Sequence, residues 1–219
     1  MSSTSAGVSL RISEIFFSLQ GETSRAGIPT TFIRLTGCPL RCTYCDTSYA
    51  FSGGSNMPLN EIMNTIKSHP TQYICVTGGE PLAQKNCITL LKNLCDAGYK
   101  VSLETSGALP VEDVDARVSK VLDIKTPASG EVEKNKWANL AHLNTHDEIK
   151  FVLCDQADYN WAKEICQQHQ LTQKCDVLFS PAQAQLSPRD LAEWILRDGL
   201  QVRLQLQLHK LLWGSQQGK

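Results

Sequence analysis

Three cysteines within eight positions are the residues of this chain whose types and spacing most directly indicate chemistry. Cys38, Cys42 and Cys45 stand in the stretch "LTGCPLRCTYCDTSY". A structural zinc site usually takes two separated ligand pairs, and a catalytic zinc site typically includes histidine, neither of which this loop offers. Grouped thiolates are the usual ligands of iron–sulfur clusters. The spacing therefore favours a 4Fe–4S cluster with one open iron, with zinc and incidental loop thiols as the alternatives.

Strand-like and helix-like segments alternate along the chain and would position this loop. The β-rich runs that predict strands are "TTFIRLTG", "YICVTGG", "KVSLETSG", "KVLDIKTP", "EIKFVL" and "CDVLFSP". Apolar residues recur at helical spacing from Leu59 to Ile66 and from Cys87 to Leu94. Further helices are predicted after Asp155 and between Ser187 and Gly199, where capping residues mark the ends.

Three further segments carry weaker patterns. The acidic stretch between "KVSLETSG" and "KVLDIKTP" is expected to form one helix. The run "QVRLQLQL" alternates and predicts a last strand, with Val202, Leu204, Leu206 and Leu208 on one face. Residues 1–10 lack the basic and apolar sections of a signal peptide and are expected to be a disordered tail.

The alternation of strands and helices predicts an α/β fold with parallel strands and helices outside, either a partial (βα) barrel or a doubly wound sheet. Ligands of both architectures gather at the carboxyl ends of the strands. The unusual polar motifs all fall there, namely "TGCPLRCTYCDT", "TGGEP", "ETSG" and "DIKTP". This coincidence predicts one shared site.

Composition narrows the class of protein. The 219 residues suit a single domain, residues 1–219, and the net charge of −1 gives no broad basic field for nucleic acid or an anionic membrane. No apolar stretch approaches the roughly 20 residues that span a bilayer. Nine cysteines, six of them within apolar segments, fit core thiols in a reducing cytoplasm better than disulfides. Those six are Cys75, Cys87, Cys95, Cys154, Cys166 and Cys175.

The motifs resemble those of the radical S-adenosylmethionine (SAM) superfamily. Its CxxxCxxC signature is matched at Cys38, Cys42 and Cys45, "TGGEP" resembles its glycine-rich motif, and "ETSG" fits the next strand end. The resemblance implies that the open iron binds the amino and carboxylate groups of SAM. One electron from the reduced cluster then breaks a carbon–sulfur bond and yields a 5′-deoxyadenosyl radical, while the protein orients the substrate.

A narrower resemblance covers nearly the whole chain. "EIFFSLQGETSRAGIPTTFIRLTGC", "CDT" and the terminal "QLHKLLW" are similar to the 7-carboxy-7-deazaguanine synthase family. The resemblance implies a six-stranded partial barrel, a homodimer, and an electron donor such as flavodoxin. It also implies conversion of 6-carboxy-5,6,7,8-tetrahydropterin to 7-carboxy-7-deazaguanine and ammonia in queuosine biosynthesis, with SAM regenerated.

The same resemblance assigns site residues, and it implies no catalytic residue beyond the cofactor ligands. The pterin would be bound by Leu19, Gln20, Gly21, Arg34 and Thr77. SAM would be bound by Tyr44, Cys45, Asp46, Gly79, Ser106, Asp123, Ile124 and Lys125, the last three standing where some members have Ser-Pro-Lys. Thr47 would bind a Mg²⁺ ion that also meets the substrate carboxylate.

Two other functions fit parts of the pattern. A radical SAM activase, which generates a glycyl radical on a partner protein, shares the cysteine spacing but is not expected to carry "LQGE" with Arg34. A non-catalytic iron or zinc module would bind metal without cleaving SAM. The motifs on successive strand ends argue against such a module.

Overall fold

The computed structural model describes residues 7–214 and 216–218 and contains a nine-stranded sheet in the order β3-β1-β2-β4-β5-β6-β7-β8-β9. The strands are β1 (Ser9–Leu19), β2 (Pro29–Leu35), β3 (Ser55–Pro58), β4 (Tyr73–Gly78), β5 (Lys100–Thr105), β6 (Ser119–Asp123), β7 (Glu148–Leu153), β8 (Asp176–Pro181) and β9 (Arg203–Leu204). The helices are α1 (Leu59–Ile66), α2 (Cys87–Asp96), α3 (Gln156–Gln168), α4 (Pro188–Asp198) and α5 (Leu208–Trp213).

Seven neighbouring strands are parallel, namely β2, β4, β5, β6, β7, β8 and β9. The first six are full-length strands, whereas β9 has only two residues. At the other edge, β1 is antiparallel to both β2 and β3. The predicted α/β fold with about six parallel strands is confirmed. The antiparallel pair β1 and β3 was not predicted.

Alternation along the parallel strands separates two buried faces. In β6, Leu122 belongs to the hydrophobic core, whereas Val121 and Asp123 face a cavity on the opposite side. In β7, Phe151 packs in the core and Lys150 faces the cavity. Because helices cover one face of the strands and the cavity occupies the other, the strands read as nearly continuous apolar runs broken by polar cavity residues.

The helices pack through the apolar stripes that the sequence predicts. Three residues of α1 are buried, namely Leu59, Ile62 and Ile66. The apolar residues of α2 are fully buried, namely Cys87, Leu90, Leu91 and Leu94. The Asp155 carboxylate caps α3 by accepting from the Asp158 N–H at 2.9 Å. Gly199 ends α4 in the left-handed conformation at φ +58°, which glycine adopts without strain. All six cysteines predicted as core thiols are buried and free.

Three predicted segments are wrong in whole or in part. The stretch between β5 and β6 forms two single turns, closed by Val114 N–H to Val111 O and Val118 N–H to Asp115 O, and not a helix. The Asp115 carboxylate accepts from the Arg117 N–H at 3.0 Å, and such a local side-chain bond competes with helix propagation. The three valines of these turns are buried in the hydrophobic core, which holds the turns against the sheet.

The predicted strand 201–208 is confirmed only at Arg203 and Leu204, which pair with β8. The predicted alternation holds at Val202, which packs against the core, but it is exchanged at the next pair, because Leu204 is exposed and Gln205 is buried. The chain leaves the sheet after the Gln205 N–H donates to Phe179 O, and Leu208 begins α5.

The predicted tail 1–10 is also too long, since residues 9 and 10 belong to β1 and Leu10 is buried. Residues 1–6 of that tail lie outside the described residues. Within the part of the chain that the structure describes, no helix has the length and apolar character needed to cross a membrane.

Candidate active site

A cavity of about 640 Å³ lies on the inner face of the sheet, toward the carboxyl ends of the parallel strands. Fifteen of the sixteen site residues predicted from the sequence line it. They are Leu19, Gln20, Gly21, Arg34, Cys38, Cys42, Tyr44, Cys45, Asp46, Thr47, Thr77, Gly79, Ser106, Asp123 and Lys125. Leu19 and Lys125, which are 106 positions apart in the sequence, therefore line the same cavity.

Ile124 is the exception. Its side chain is buried in the hydrophobic core, and its N–H donates to Lys150 O at 2.9 Å. A contact from Ile124 to a bound cofactor therefore has to come from its backbone carbonyl.

The cysteine loop follows β2 and is held in place through its backbone. The Thr43 N–H donates to Ser129 O at 3.0 Å, and the Arg41 guanidinium donates to Cys38 O at 2.8 Å. Cys38, Cys42 and Cys45 are each partly exposed to the cavity. Burial raises the pKa of the Cys38 and Cys42 thiols, so these thiols are protonated at neutral pH until an electrophilic metal displaces the proton.

The donor set of this loop fits an iron–sulfur cluster better than a single ion. Among the described residues, no three His, Cys, Asp or Glu side chains converge on one point as a zinc site requires. In a 4Fe–4S cluster each thiolate binds a different iron, so three sulfurs around one cavity suffice without converging.

The glycine-rich loop after β4 packs directly against the cysteine loop. A Cβ atom at Gly79 would lie 2.2 Å from Gly37 O and 2.8 Å from the Cys38 Cβ, so only glycine fits there. The Glu80 N–H donates to Gly37 O at 2.8 Å, which fixes the two loops together. The glycine therefore brings exposed backbone next to Cys38, the first cysteine of the loop.

The Glu80 carboxylate, which is fully buried, ties this loop to the end of β5. It accepts from the Ser106 N–H at 2.7 Å, from the Ser106 hydroxyl at 2.5 Å, and from the Thr105 hydroxyl at 3.0 Å. It also accepts from the Leu82 N–H at 2.9 Å. These charge-assisted bonds hold Ser106 at the cavity wall.

Two buried polar atoms at the cavity wall form no hydrogen bond within the described structure, the Tyr44 hydroxyl and Asp123 Oδ1. The other Asp123 oxygen pairs with Lys125 Nζ at 2.9 Å, and that ammonium lies 5.9 Å from the centre of the Tyr44 ring. Burial, followed by the nearby Asp123 charge, raises the pKa of Tyr44, so its hydroxyl is a donor at neutral pH. Unpaired buried polar groups are costly, so these two atoms are candidate contacts for a polar ligand in the cavity.

Arg34 projects from β2 between aromatic rings. Its Nε donates to Glu14 Oε1 at 2.6 Å, and the Tyr49 hydroxyl donates to the same oxygen at 2.8 Å. The rings of Phe16 and Tyr49 lie 5.9 and 5.8 Å from the guanidinium carbon. Glu14 engages Nε, and the two Nη groups are the donors suited to a planar acceptor in the cavity.

Comparison with known proteins agrees with this geometry. Residues 32–121 match the model of the Radical SAM superfamily. A 7-carboxy-7-deazaguanine synthase from Chlorobaculum tepidum is 50% identical over 207 residues, covering 93% of this chain and 94% of the relative. The chain belongs to the 7-carboxy-7-deazaguanine synthase family. A 7-carboxy-7-deazaguanine synthase from Koribacter versatilis is 45% identical, and the aligned region covers 93% of this chain and 97% of that relative.

Solved structures show the same fold. The crystal structure of QueE from Escherichia coli superposes with a TM-score of 0.76 at 22% identity, covering 92% of this chain and 95% of that chain. As a radical SAM enzyme, this member of the 7-carboxy-7-deazaguanine synthase family uses a 4Fe–4S cluster and SAM.

Several cavity residues of this synthase family member were not predicted from the sequence. Glu104 accepts from the Thr77 hydroxyl at 3.0 Å and from the Gln20 side chain at 3.4 Å. Lys150 forms a buried ion pair with Glu22. Burial opposes both charges, but their mutual attraction prevails, so the pKa of Glu22 is lowered and that of Lys150 is raised.

The C-terminal segment completes the wall. His209 lies against Gly21, where an added Cβ would be 2.0 Å from its Nδ1. Lys210 Nζ pairs with Asp46 Oδ2 at 2.5 Å. Glu22, Glu104 and His209 all belong to motifs quoted above, so membership of a motif was the available signal. Lys150 interrupts the apolar run "EIKFVL", and this charged residue between two core residues was the available signal for it.

Proposed function

We propose that this protein converts 6-carboxy-5,6,7,8-tetrahydropterin to 7-carboxy-7-deazaguanine and ammonia. The observation that supports it most is the convergence of the three cluster cysteines, the glycine-rich loop and Arg34 on one cavity. The product and ammonia together contain the same atoms as the substrate, so the reaction needs no net oxidant. The bound cluster and SAM would supply the radical that starts the ring contraction.

The residues of this chain then hold and shield the reactants. Cys38, Cys42 and Cys45 would bind the cluster. SAM would be held by the cavity groups Tyr44, Cys45, Asp46, Gly79, Ser106, Asp123 and Lys125, with a carbonyl contact from Ile124. The unpaired hydroxyl of Tyr44 and the free oxygen of Asp123 support this assignment.

The pterin would lie over Leu19, Gln20 and Gly21, with Thr77 and Arg34 at its edges. Gln20 is buried, and its amide nitrogen donates to the Glu104 carboxylate. This hydrogen bond fixes the orientation of the Gln20 side-chain carbonyl oxygen. Arg34 would meet the substrate carboxylate through its Nη donors. Catalysis by the chain is positioning, because the radical chemistry resides in the cofactors.

Anaerobic reconstitution with iron and sulfide, followed by SAM, a reductant and the carboxypterin, tests the function. We expect ultraviolet absorbance of a deazaguanine and stoichiometric ammonia, without net consumption of SAM. Cleavage of SAM without deazaguanine would contradict the proposal and would favour a radical SAM activase instead.

Replacing Arg34 with alanine should weaken substrate binding and leave SAM binding nearly unchanged. Loss of one charge-assisted contact costs about 1.5–3 kcal/mol. Calorimetric titration of the reconstituted enzyme with each ligand measures both affinities. Arg203→Ala, which removes an exposed arginine that pairs with Asp176 at 3.1 Å, is the matched control. Equal losses of SAM and pterin affinity would show that Arg34 supports the whole site and not the substrate alone.

We also propose that a Mg²⁺ ion binds between Thr47 and the substrate carboxylate. Thr47 is the N-cap residue of the 3-10 turn Ser48–Phe51, but its side chain does not form a capping hydrogen bond with that turn. Its hydroxyl donates to Asp46 Oδ1 at 2.9 Å, so the oxygen lone pairs are directed elsewhere. Hard oxygen donors of this kind suit Mg²⁺, which often binds through one or two protein groups and retains waters.

Turnover should therefore rise with added Mg²⁺, and Thr47→Val should blunt the rise while cluster content and SAM binding stay intact. Thr43→Val is the control, because Thr43 donates to Ala128 O at 2.7 Å in the same loop outside the cavity. Initial rates against Mg²⁺ concentration give the comparison. The ion has no role if rates in fully chelated buffer equal those with Mg²⁺.

The remaining assignments follow from the family resemblance. We propose a single domain over residues 1–219, a cytoplasmic enzyme, a homodimer, and reduction by a donor such as flavodoxin. The exposed leucines of α5, Leu211 at 70% and Leu212 at 52%, support an interface on that side of the molecule. Partial exposure of the cluster cysteines is consistent with electron entry through their loop.

A further inference from the structure

The segment Gln207–Lys210, here called the C-terminal clasp, joins two site loops that are distant in sequence. The Leu208 N–H donates to Gly21 O at 2.8 Å, and the Gln207 amide donates to Glu22 Oε1 at 2.9 Å. These contacts hold the clasp against the "LQGE" loop, one of the three predicted pterin-binding segments.

The clasp also reaches the loop that follows the cluster cysteines. Lys210 Nζ donates to Asp46 Oδ2 at 2.5 Å, and the Gln207 amide donates to the same oxygen at 3.2 Å. Gln207 therefore bridges the carboxylates of Glu22 and Asp46. The Lys210 side chain is only 15% exposed, so its charge is partly shielded from water and directed to this partner.

The two oxygens of Asp46 have different partners. The clasp engages Oδ2, whereas Oδ1 accepts the Thr47 hydroxyl proton at 2.9 Å. A hydroxyl whose proton is fixed in this way presents its lone pairs in a fixed direction, as a cation ligand requires. With Oδ2 engaged, the Asp46 carboxylate also cannot turn freely to become a ligand in its own right.

We propose that Lys210 and Gln207 are positioning residues that fix Thr47, through Asp46, as a ligand for a divalent cation. The inference rests on the magnesium site of the proposed function and adds the chain's own support for it. Outer partners that orient a metal ligand typically change metal affinity 10- to 100-fold when they are removed. Neither residue touches the cation.

Mn²⁺ binding to the anaerobic, reconstituted enzyme tests this without turnover. Mn²⁺ is titrated in the presence of SAM and the carboxypterin, without reductant, and free Mn²⁺ is counted from its paramagnetic resonance signal. Lys210→Met should weaken Mn²⁺ binding at least about 10-fold. SAM is kept saturating, because Asp46 is also assigned to SAM binding, and cluster content should be unchanged. Lys210→Arg should restore most of the Mn²⁺ binding. Turnover, which falls in Lys210→Met because the cation binds weakly, should return at saturating Mg²⁺.

Lys92→Met is the matched control, because Lys92 forms an exposed pair with Asp96 at the same 2.5 Å spacing on α2. It should bind Mn²⁺ as the unmodified enzyme does. If Lys210→Met does not fold, Gln207→Leu carries the same test, with a smaller loss of affinity in the same direction.

Three results would overturn the proposal. Mn²⁺ affinity in Lys210→Met that equals or exceeds that of the unmodified enzyme would show that the clasp does not position the ligand. Loss of the cluster in that variant would show a structural role only. Absence of Mn²⁺ binding to the unmodified enzyme would remove the cation site, whereas absence of deazaguanine product with normal Mn²⁺ binding would contradict the proposed function alone.

Discussion

Replacing any one of Cys38, Cys42 and Cys45 with alanine should abolish the brown cluster absorbance and all SAM cleavage. Each thiolate binds a separate iron, so a missing ligand leaves two irons without protein donors in place of one. The three thiols line the cavity that also contains the glycine-rich loop, so loss of the cluster removes the anchor for SAM. Iron and sulfide analysis after anaerobic reconstitution, with detection of 5′-deoxyadenosine, measures the effect.

Cys166→Ala is the control for this series. Cys166 is a buried, free thiol on α3 that belongs to the hydrophobic core and not to the cavity wall. Its replacement should leave cluster and activity intact and lower the free energy of unfolding by about 1 kcal/mol, the cost of a small core deletion. A triple variant at positions 38, 42 and 45 that kept a four-iron cluster and full turnover would refute the cluster assignment.

Gly79→Ala should have an effect nearly as large. The new methyl group would lie 2.2 Å from Gly37 O and 2.8 Å from the Cys38 Cβ, and neither is the end of a flexible side chain. The glycine-rich loop and the first cluster cysteine must separate to admit it. Because a misplacement of about 1 Å can cost about 100-fold in rate, we expect turnover to fall at least that far.

The measurements for Gly79→Ala are cluster content, SAM affinity and turnover, each compared with Gly7→Ala. An added Cβ at Gly7 meets no atom within 4 Å, so this control introduces the same methyl group without a clash. Normal SAM affinity in Gly79→Ala would show that the two loops are not rigidly coupled, and that the glycine is not needed for close packing.

Sequence reasoning succeeded where function depends on local pattern. The cysteine spacing, the glycine after β4 and the polar strand ends are properties of a few adjacent residues, and the parallel sheet gathers them at one edge. It also placed the capped helices, because Asp155 and Gly199 act within one turn of their own positions.

Sequence reasoning failed where long-range packing overrides the local signal. A register shift between Ile12 and Glu14 interrupts the alternation of β1, so that strand carried no clear period. "QVRLQLQL" alternates well, yet β8 pairs with only two of its residues, and Gln207 near its end faces the cavity. The ion pair of Lys150 with Glu22 joins residues 128 positions apart, which no local pattern encodes.

The C-terminal clasp has a consequence for the order in which the molecule is assembled during translation. The contact between Gln207 and Glu22 closes a loop of 185 residues, and closing long loops is entropically costly and slow. A nascent chain exposes its three cluster cysteines long before residues 207–210 are synthesised. The clasp contacts therefore form only after all three cluster cysteines have been synthesised, and they are among the last contacts of the cavity wall to be made.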